Sequence, residues 1–176
     1  MRRAEVDAAE SWAFALAIYA RPGIAEACLA LQNAADVDVM LMLMATFVAV
    51  KRRLLLTADE IKALDNACAP WREQVVHKLR ALRTDLKTGP RPAPSETTEP
   101  FRSRIKAIEL DAEKLENQLL AECLPQRPGQ ESIGMEQLRS VLNAVVVHFA
   151  DKRGTTLDAR LSPLVDTIAE AAMEPI

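Results

Sequence analysis

The residues best suited to chemistry lie between positions 70 and 91. This segment carries six basic and two acidic residues, a net charge of +4, whereas the whole chain has a net charge of −3. Arg80, Arg83 and Lys87 recur at i, i+3 and i+7, so they share one face of a helix. Guanidinium groups bind phosphates and carboxylates through paired hydrogen bonds. We therefore predict partner or anion binding here, with Arg72 and Lys78 included.

The alternative for these basic residues is structural. They could form a solvated polar face, or pair with the acidic residues of the helix predicted after position 99, which are Glu109, Asp111, Glu113 and Glu116. We expect no nucleic-acid partner, because aromatic residues do not alternate with the basic ones and the total charge is negative.

A second set of residues could carry acid–base or metal chemistry. Glu73 and His77 are four residues apart on the predicted helix, but a catalytic zinc site needs about three protein ligands. Asp36 and Asp38 precede an apolar helix, where carboxylates usually serve as caps and do acid–base work only if desolvated. The chain has no phosphate-binding, dinucleotide or nucleophile-elbow motif. We predict no cofactor and no metal.

The composition favours an all-α fold. The chain has 176 residues, of which 49% are hydrophobic, 27% are charged and only 5 are glycine. Three isolated cysteines (Cys28, Cys68 and Cys123) lie on apolar stripes, which predicts buried thiols rather than disulfides or a zinc site. The N-terminal Met-Arg-Arg is followed by acidic residues instead of an apolar signal, so we expect a cytoplasmic protein.

A central helix is the strongest element of the pattern. Val39 to Val50 is apolar on all sides and spans about 18 Å as a helix, too short to cross about 30 Å of hydrocarbon. We predict that Asp36 caps it and that its three methionines fill the core. The following Leu54-Leu55-Leu56 is either a buried connection or, with Lys51-Arg52-Arg53, a peripheral membrane contact.

Helical spacing and capping signals place the other elements. Thr57 and Glu60 form a capping box, Pro70 is predicted to start a new helix that runs to Lys87, and Ser162 is predicted to cap the last helix. The predicted apolar stripe of the long helix after position 99 is Ile105, Ile108, Ala112, Leu115 and Leu119.

The prediction is an all-α, compact multi-helix bundle around a fully apolar central helix at about 38–50, with a C-terminal helical hairpin. Residues 5–88 form the helical core, 89–98 a proline-rich linker, 99–124 a long amphipathic helix that packs on the core, and 133–176 the hairpin.

Three stretches are similar to a known family. They are Trp12 to Gln32 (WAFALAIYARPGIAEACLALQ), Asp38-Val39 at the start of the apolar helix, and Ala69 to Val76 (APWREQVV) followed by Leu79-Arg80 and Leu82-Arg83. The chain resembles a family of short bacterial proteins of unknown function, with a domain of about 150 residues, over roughly positions 10–120. The resemblance implies the domain and brings no activity, cofactor or catalytic residue.

We predict a non-enzymatic cytoplasmic interaction or adaptor protein that binds a protein partner through the basic helix at 70–91, and homo-oligomerisation stays open. Three alternatives remain. They are a pocket in which Arg72 or Arg80 clamps an anionic small molecule, an enzyme that uses Asp36, Asp38, Glu73 or His77, and the peripheral membrane contact described above.

Overall fold

Helices joined by turns and short loops make up the fold. The structure, a computed structural model, describes residues 3–155 and 159–175. The α-helices are α1 (Arg3–Tyr19), α2 (Ile24–Ala35), α3 (Val39–Arg52), α4 (Ala58–Trp71), α5 (His77–Asp85), α6 (Glu99–Glu122), α7 (Met135–Arg153) and α8 (Ser162–Met173). A π-helical turn (Arg72–Val76) joins α4 to α5, and a 3₁₀ turn (Ala159–Leu161) precedes α8. The predicted all-α bundle is confirmed, and no strand occurs in these ranges.

Helix α3 lies at the centre of the bundle. Every residue from Met40 to Ala49 is buried, because α1, α2, α6, α7 and α8 all contact this helix. Burial on all sides explains why its sequence has no polar face. Its methionines occupy the core, as the sequence predicted.

The start of α3 corrects one predicted cap. Asp38, not Asp36, is the N-cap, and its Oδ1 accepts hydrogen bonds from the backbone N–H groups of Met40 (2.8 Å) and Leu41 (3.4 Å). Asp36 instead ends α2 in the left-handed region, at φ 57°, which Asp tolerates better than most residues. The two carboxylates therefore have different tasks, although they are only two positions apart.

Pro70 corrects the predicted helix boundary. It lies inside α4, and the chain continues through the π-helical turn into α5 without a break. In this turn the N–H of His77 donates to the carbonyl of Arg72, five residues back. This hydrogen bond spans one residue more than an α-helical bond. Such π-helical turns are frequent at functional sites.

The C-terminal helices complete the core. Helix α7 packs on α2, α3 and α4, and α8 packs on α2, α3 and α7. The Val145-Val146-Val147 run lies within α7 and is helical. The predicted cap on α8 is wrong, because Leu161 is the N-cap and Ser162 is the first helical residue.

The burial of the leucine run and of the cysteines can be compared with the predictions. Leu54 and Leu56 are buried, which supports the buried connection rather than a membrane contact. Cys28 and Cys68 are buried, but Cys123 is exposed, contrary to prediction. Residues 89–98 form turns, with Ala93 buried.

Among the described residues no single helix is long and apolar enough to span a membrane. Helices α1 and α2 reach the required length and apolarity only when taken together, and they are bent by 101° relative to each other.

Candidate functional site

Arg72 lies inside the bundle, where three acidic side chains surround it. Its Nη1 donates to Oδ2 of Asp38 (2.6 Å) and lies 3.7 Å from Oε1 of Glu116. Its Nη2 donates to Oδ1 of Asp65. The guanidinium carbon also lies 5.5 Å from the ring centre of Phe149. Arg72 therefore joins elements that are far apart in the sequence.

The local fold explains how these side chains meet. Arg72 begins the π-helical turn, and Asp65 lies two helical turns earlier on α4. Asp38 is presented by the first turn of α3, and Glu116 points inward from α6. We call Asp38, Asp65, Arg72 and Glu116 the Arg72 cluster. All four are buried, so each charge needs a partner within the protein.

Asp65 connects the Arg72 cluster to the surface. Its Oδ2 lies 2.9 Å from Nε2 of His148 and accepts a hydrogen bond from Nζ of Lys152 (3.1 Å). His148 is partly exposed and Lys152 is exposed at 45% of its side chain. Burial raises the pKa of Asp65, but the hydrogen bonds from His148 and Arg72 outweigh it, so the pKa lies below its usual value. Asp65 is therefore ionised at neutral pH.

Glu116 behaves in the opposite way. Burial, and then the nearby charge of Asp38, raise its pKa to about 10. Its Oε1 accepts no hydrogen bond, although it is enclosed by protein. At neutral pH Glu116 is protonated, which lets the Arg72 cluster hold a third carboxyl group beside one guanidinium.

A second group of ion pairs holds α5 on α6. Arg80 donates to Glu109 (3.0 Å) and to Glu113 (2.7 Å), and Arg83 donates through both Nε and Nη2 to Glu109. Hydrogen bonds from Arg83 and Arg80 overcome the effect of burial and lower the pKa of Glu109, whereas burial raises the pKa of Glu113. Three of the five predicted binding residues (Arg72, Arg80 and Arg83) thus make internal ion pairs.

The remaining two predicted binding residues, Lys78 and Lys87, are exposed. With three arginines paired inside the molecule, the excess positive charge of the segment is much smaller at the surface than in the sequence. The paired-acid alternative describes Arg80 and Arg83 well, because both meet the carboxylates of α6.

Helix α6 packs with a different face from the predicted one. Ile105 and Ala112 are buried as expected, but Ile108 and Leu115 are exposed at 52% and 47%. Glu109 and Glu116 are buried in their place. These two acidic residues face inward because they lie against arginines of the segment after Pro70.

The predicted acid–base residues make contacts of different kinds. Asp36 is exposed, Asp38 caps α3 and binds Arg72, and Glu73 is exposed with its Oε1 3.8 Å from Nζ of Lys152. His77 is half-buried, and burial together with Arg80 lowers its pKa, which favours the neutral ring. Over the described ranges no group of three or more His, Cys, Asp or Glu side chains is arranged to hold a metal ion.

Sequence analysis missed Asp65, His148 and Lys152. One signal could have found Asp65, because it interrupts the apolar stripe Ile61, Leu64 and Cys68, where an acid needs a buried partner. His148 and Lys152 gave no such signal, since they approach Asp65 from a helix more than 80 residues later.

Two surface grooves of about 420 Å³ lie away from the Arg72 cluster. One is lined by residues of α1 and α6, including Trp12, Lys114 and Asn117. The other lies between the end of α3 and the C-terminal residues, with Lys51, Arg53 and Glu174 on its walls. Neither groove opens onto Arg72, which is enclosed by its carboxylates.

The fold and the cluster define a class of protein, an α-helical bundle whose central helix is tied to its neighbours by buried ion pairs. Residues 10–120 match a family described as proteins of unknown function (DUF2390), and the chain belongs to that family. No curated protein and no solved structure matches the chain.

Proposed function

We propose that this is a non-enzymatic interaction protein of the cytoplasm, an adaptor that docks a helix of a protein partner on α6. The observation that carries the proposal is an exposed apolar row on that helix: Phe101, Ile108 and Leu115 are 46%, 52% and 47% exposed. We call these three residues the α6 stripe. They recur every seven residues, so they share one side of the helix over about 21 Å.

The α6 stripe has the properties of a docking surface rather than of a loosely packed helix. Helix α6 is fixed on its other side by the ion pairs to Arg80 and Arg83 and by the hydrogen bond from Nε1 of Trp71 to the carbonyl of Ala112 (2.9 Å). A rigid helix that presents a row of large apolar side chains suits a partner helix with an apolar row of its own. Exposed apolar patches of this kind commonly mark interaction sites.

The buried position of Arg72 argues against the anion pocket. An anionic ligand would have to displace Asp38 and Asp65, which already supply the negative charge that a phosphate would bring. The predicted enzyme residues make different contacts, Asp38 with Arg72 and Glu73 near Lys152, so an interaction role is better supported than catalysis by that set.

Capture from native lysate tests the proposal. Tagged wild-type protein is compared with Ile108→Arg and with Leu110→Arg, at moderate salt and with nuclease. Leu110 is the matched control, because it is exposed to a similar extent (46%) but lies on another side of α6. We expect a stoichiometric protein with the wild type and with Leu110→Arg, and its loss with Ile108→Arg. Equal capture by both variants would overturn the proposal.

The exposed lysines of the basic segment, Lys78 and Lys87, are tested separately. A Lys78→Glu, Lys87→Glu variant leaves the internal ion pairs intact, because Arg80 and Arg83 make those pairs. Reversal of Arg80 and Arg83 would place carboxylates against Glu109 and would disturb the packing. If Lys78 and Lys87 border the docking surface, the lysine variant weakens capture without a change in thermal stability.

A further inference from the structure

We infer that the helix that docks on the α6 stripe is α6 of a second copy of this chain, in antiparallel orientation. The inference rests on the proposed function and names its partner. In an antiparallel pair centred on Ile108, each residue faces the residue equally far from Ile108 on the other helix. The α6 stripe then matches itself: Ile108 meets Ile108 of the second copy, and Phe101 meets Leu115.

The charges beside the α6 stripe are also self-complementary. Arg104 and Asp111 are both exposed, and their seven-residue separation puts them along the same border of the stripe. Arg104 is four residues before Ile108, and Asp111 is three residues after it. The antiparallel two-fold axis therefore brings Arg104 of one copy beside Asp111 of the other, twice in each dimer.

The parallel arrangement lacks this match. Its two-fold axis would run along the helices, so the border that carries Arg104 and Asp111 would lie on opposite sides of the interface in the two copies, and the opposite charges would not meet. The guanidinium of Arg104 lies 5.8 Å from the ring centre of Phe101, which confirms that these two residues share one side of α6. The charges beside the stripe thus favour the antiparallel orientation of a second copy.

The contact is one helix pair, smaller than the interface of an obligate dimer, so a reversible dimer with a dissociation constant on the order of micromolar is expected. Sedimentation velocity of the purified full-length chain, from about 0.2 to about 200 µM, covers that range. We expect a concentration-dependent shift from monomer to dimer. Ile108→Arg abolishes the shift, and Leu110→Arg leaves it unchanged.

Charge exchange tests the register. Arg104→Asp alone and Asp111→Arg alone each bring like charges together in the homodimer, so each weakens it by on the order of tenfold. An equimolar mixture of the two variants restores a dimer of wild-type strength, because every pair across the mixed interface is then opposite in sign. Both positions are exposed, and recovery in the mixture shows that each variant is folded.

The outcomes separate this inference from the proposed function. A purified chain that stays monomeric at 200 µM, or charge variants that fail to recombine, overturns the antiparallel dimer. If lysate capture then still yields another protein that depends on Ile108, the proposed function stands without the dimer. If Ile108→Arg changes neither sedimentation nor capture, both are overturned.

Discussion

At the scale of single residues, Arg72 contributes to the stability of the fold through its buried acidic partners. It is buried and binds Asp38 and Asp65, which come from two other segments of the chain. A buried ion pair adds little when its desolvation cost is included, but the loss of one partner leaves an uncompensated charge in the interior. Arg72 therefore matters chiefly because the carboxylates around it cannot reach water.

Replacement of Arg72 tests this. We expect Arg72→Met to lower the free energy of unfolding by about 3 to 5 kcal/mol, because Asp38 and Asp65 lose the cation they share. Urea unfolding followed by circular dichroism measures the change. Lys78→Met, on the exposed side of the same segment, serves as the control and should change stability by less than about 0.5 kcal/mol. Similar losses for both variants would argue against the role of the cluster.

The raised pKa of Glu116 predicts a pH dependence. Its pKa is about 10 in the folded chain and near 4.5 when unfolded, so its contribution is complete below pH 4.5 and is lost as pH rises toward 10. Glu116→Gln keeps the neutral shape and removes this loss. We expect the variant to gain stability relative to wild type between pH 5 and pH 9, by at least about 1 kcal/mol. Chemical unfolding at both pH values measures it; a constant or falling difference would contradict the assignment.

The sequence alone could not place Glu116 or Glu109 inside. Each is an acid on a helix with many charges, and hydropathy assigns such residues to solvent. Their partners (Arg72, Arg80 and Arg83) lie 26 to 44 positions earlier, beyond the range of helical periodicity. The apolar centre was easier to predict, because α3 has no charged residue between Val39 and Val50 that would contradict burial.

At the scale of elements, α5 is held by ion pairs rather than by a buried face. None of its residues is buried, and Leu82 is 45% exposed. Arg80 and Arg83 reach across to Glu109 and so keep α5 on α6. A helix attached in this way should open locally before the bundle unfolds.

Hydrogen exchange can detect this opening. Glu109→Ala removes the acceptor of Arg83 and one acceptor of Arg80, so we expect faster exchange across His77–Asp85 and little change in α3. Exchange followed by mass spectrometry gives the comparison. Glu122→Ala, an exposed acid at the C-terminal end of the same helix, is the control and should leave α5 protected.

The loop at 125–134 packs on the end of α3 through a glycine. A Cβ at Gly129 would lie under 3.0 Å from the carbonyl oxygens of both Arg52 and Arg53, where the N–H of Gln130 donates to Arg53 (2.7 Å). We expect Gly129→Ala to lower the thermal unfolding midpoint, with a loss of about 1 to 3 kcal/mol. At Gly134 the nearest atom would be 3.8 Å away, so Gly134→Ala should have a much smaller effect.

At the scale of the whole molecule, the family match and the core have different extents. The match ends at residue 120, yet α7 and α8 contribute buried residues to the same core, and both contact α3. The apolar spacing predicted these helices, but periodicity does not say which surface a helix covers. The contacts of α7 with α3 and α4 supply that information.

Truncation tests whether the core needs these helices. A fragment of residues 1–132 keeps the entire matched segment but exposes the α3 surface that α7 and α8 cover. We expect it to lack a cooperative urea transition, and we expect a 133–176 peptide added in trans to restore one. A fragment that unfolds cooperatively at the midpoint of the full chain would show that the C-terminal helices are dispensable.

The buried acids of α6, Glu109 and Glu116, also limit which substitutions the sequence can accept. The apolar pattern of that helix favours one rotation about its axis, with Ile108 and Leu115 inside, whereas Arg72, Arg80 and Arg83 impose another. The helix is therefore locally frustrated, and frustration of this kind concentrates where a protein does something other than fold. Substitutions that remove these arginines would relieve the frustration, because α6 could then turn its apolar side inward. The α6 stripe would no longer be exposed.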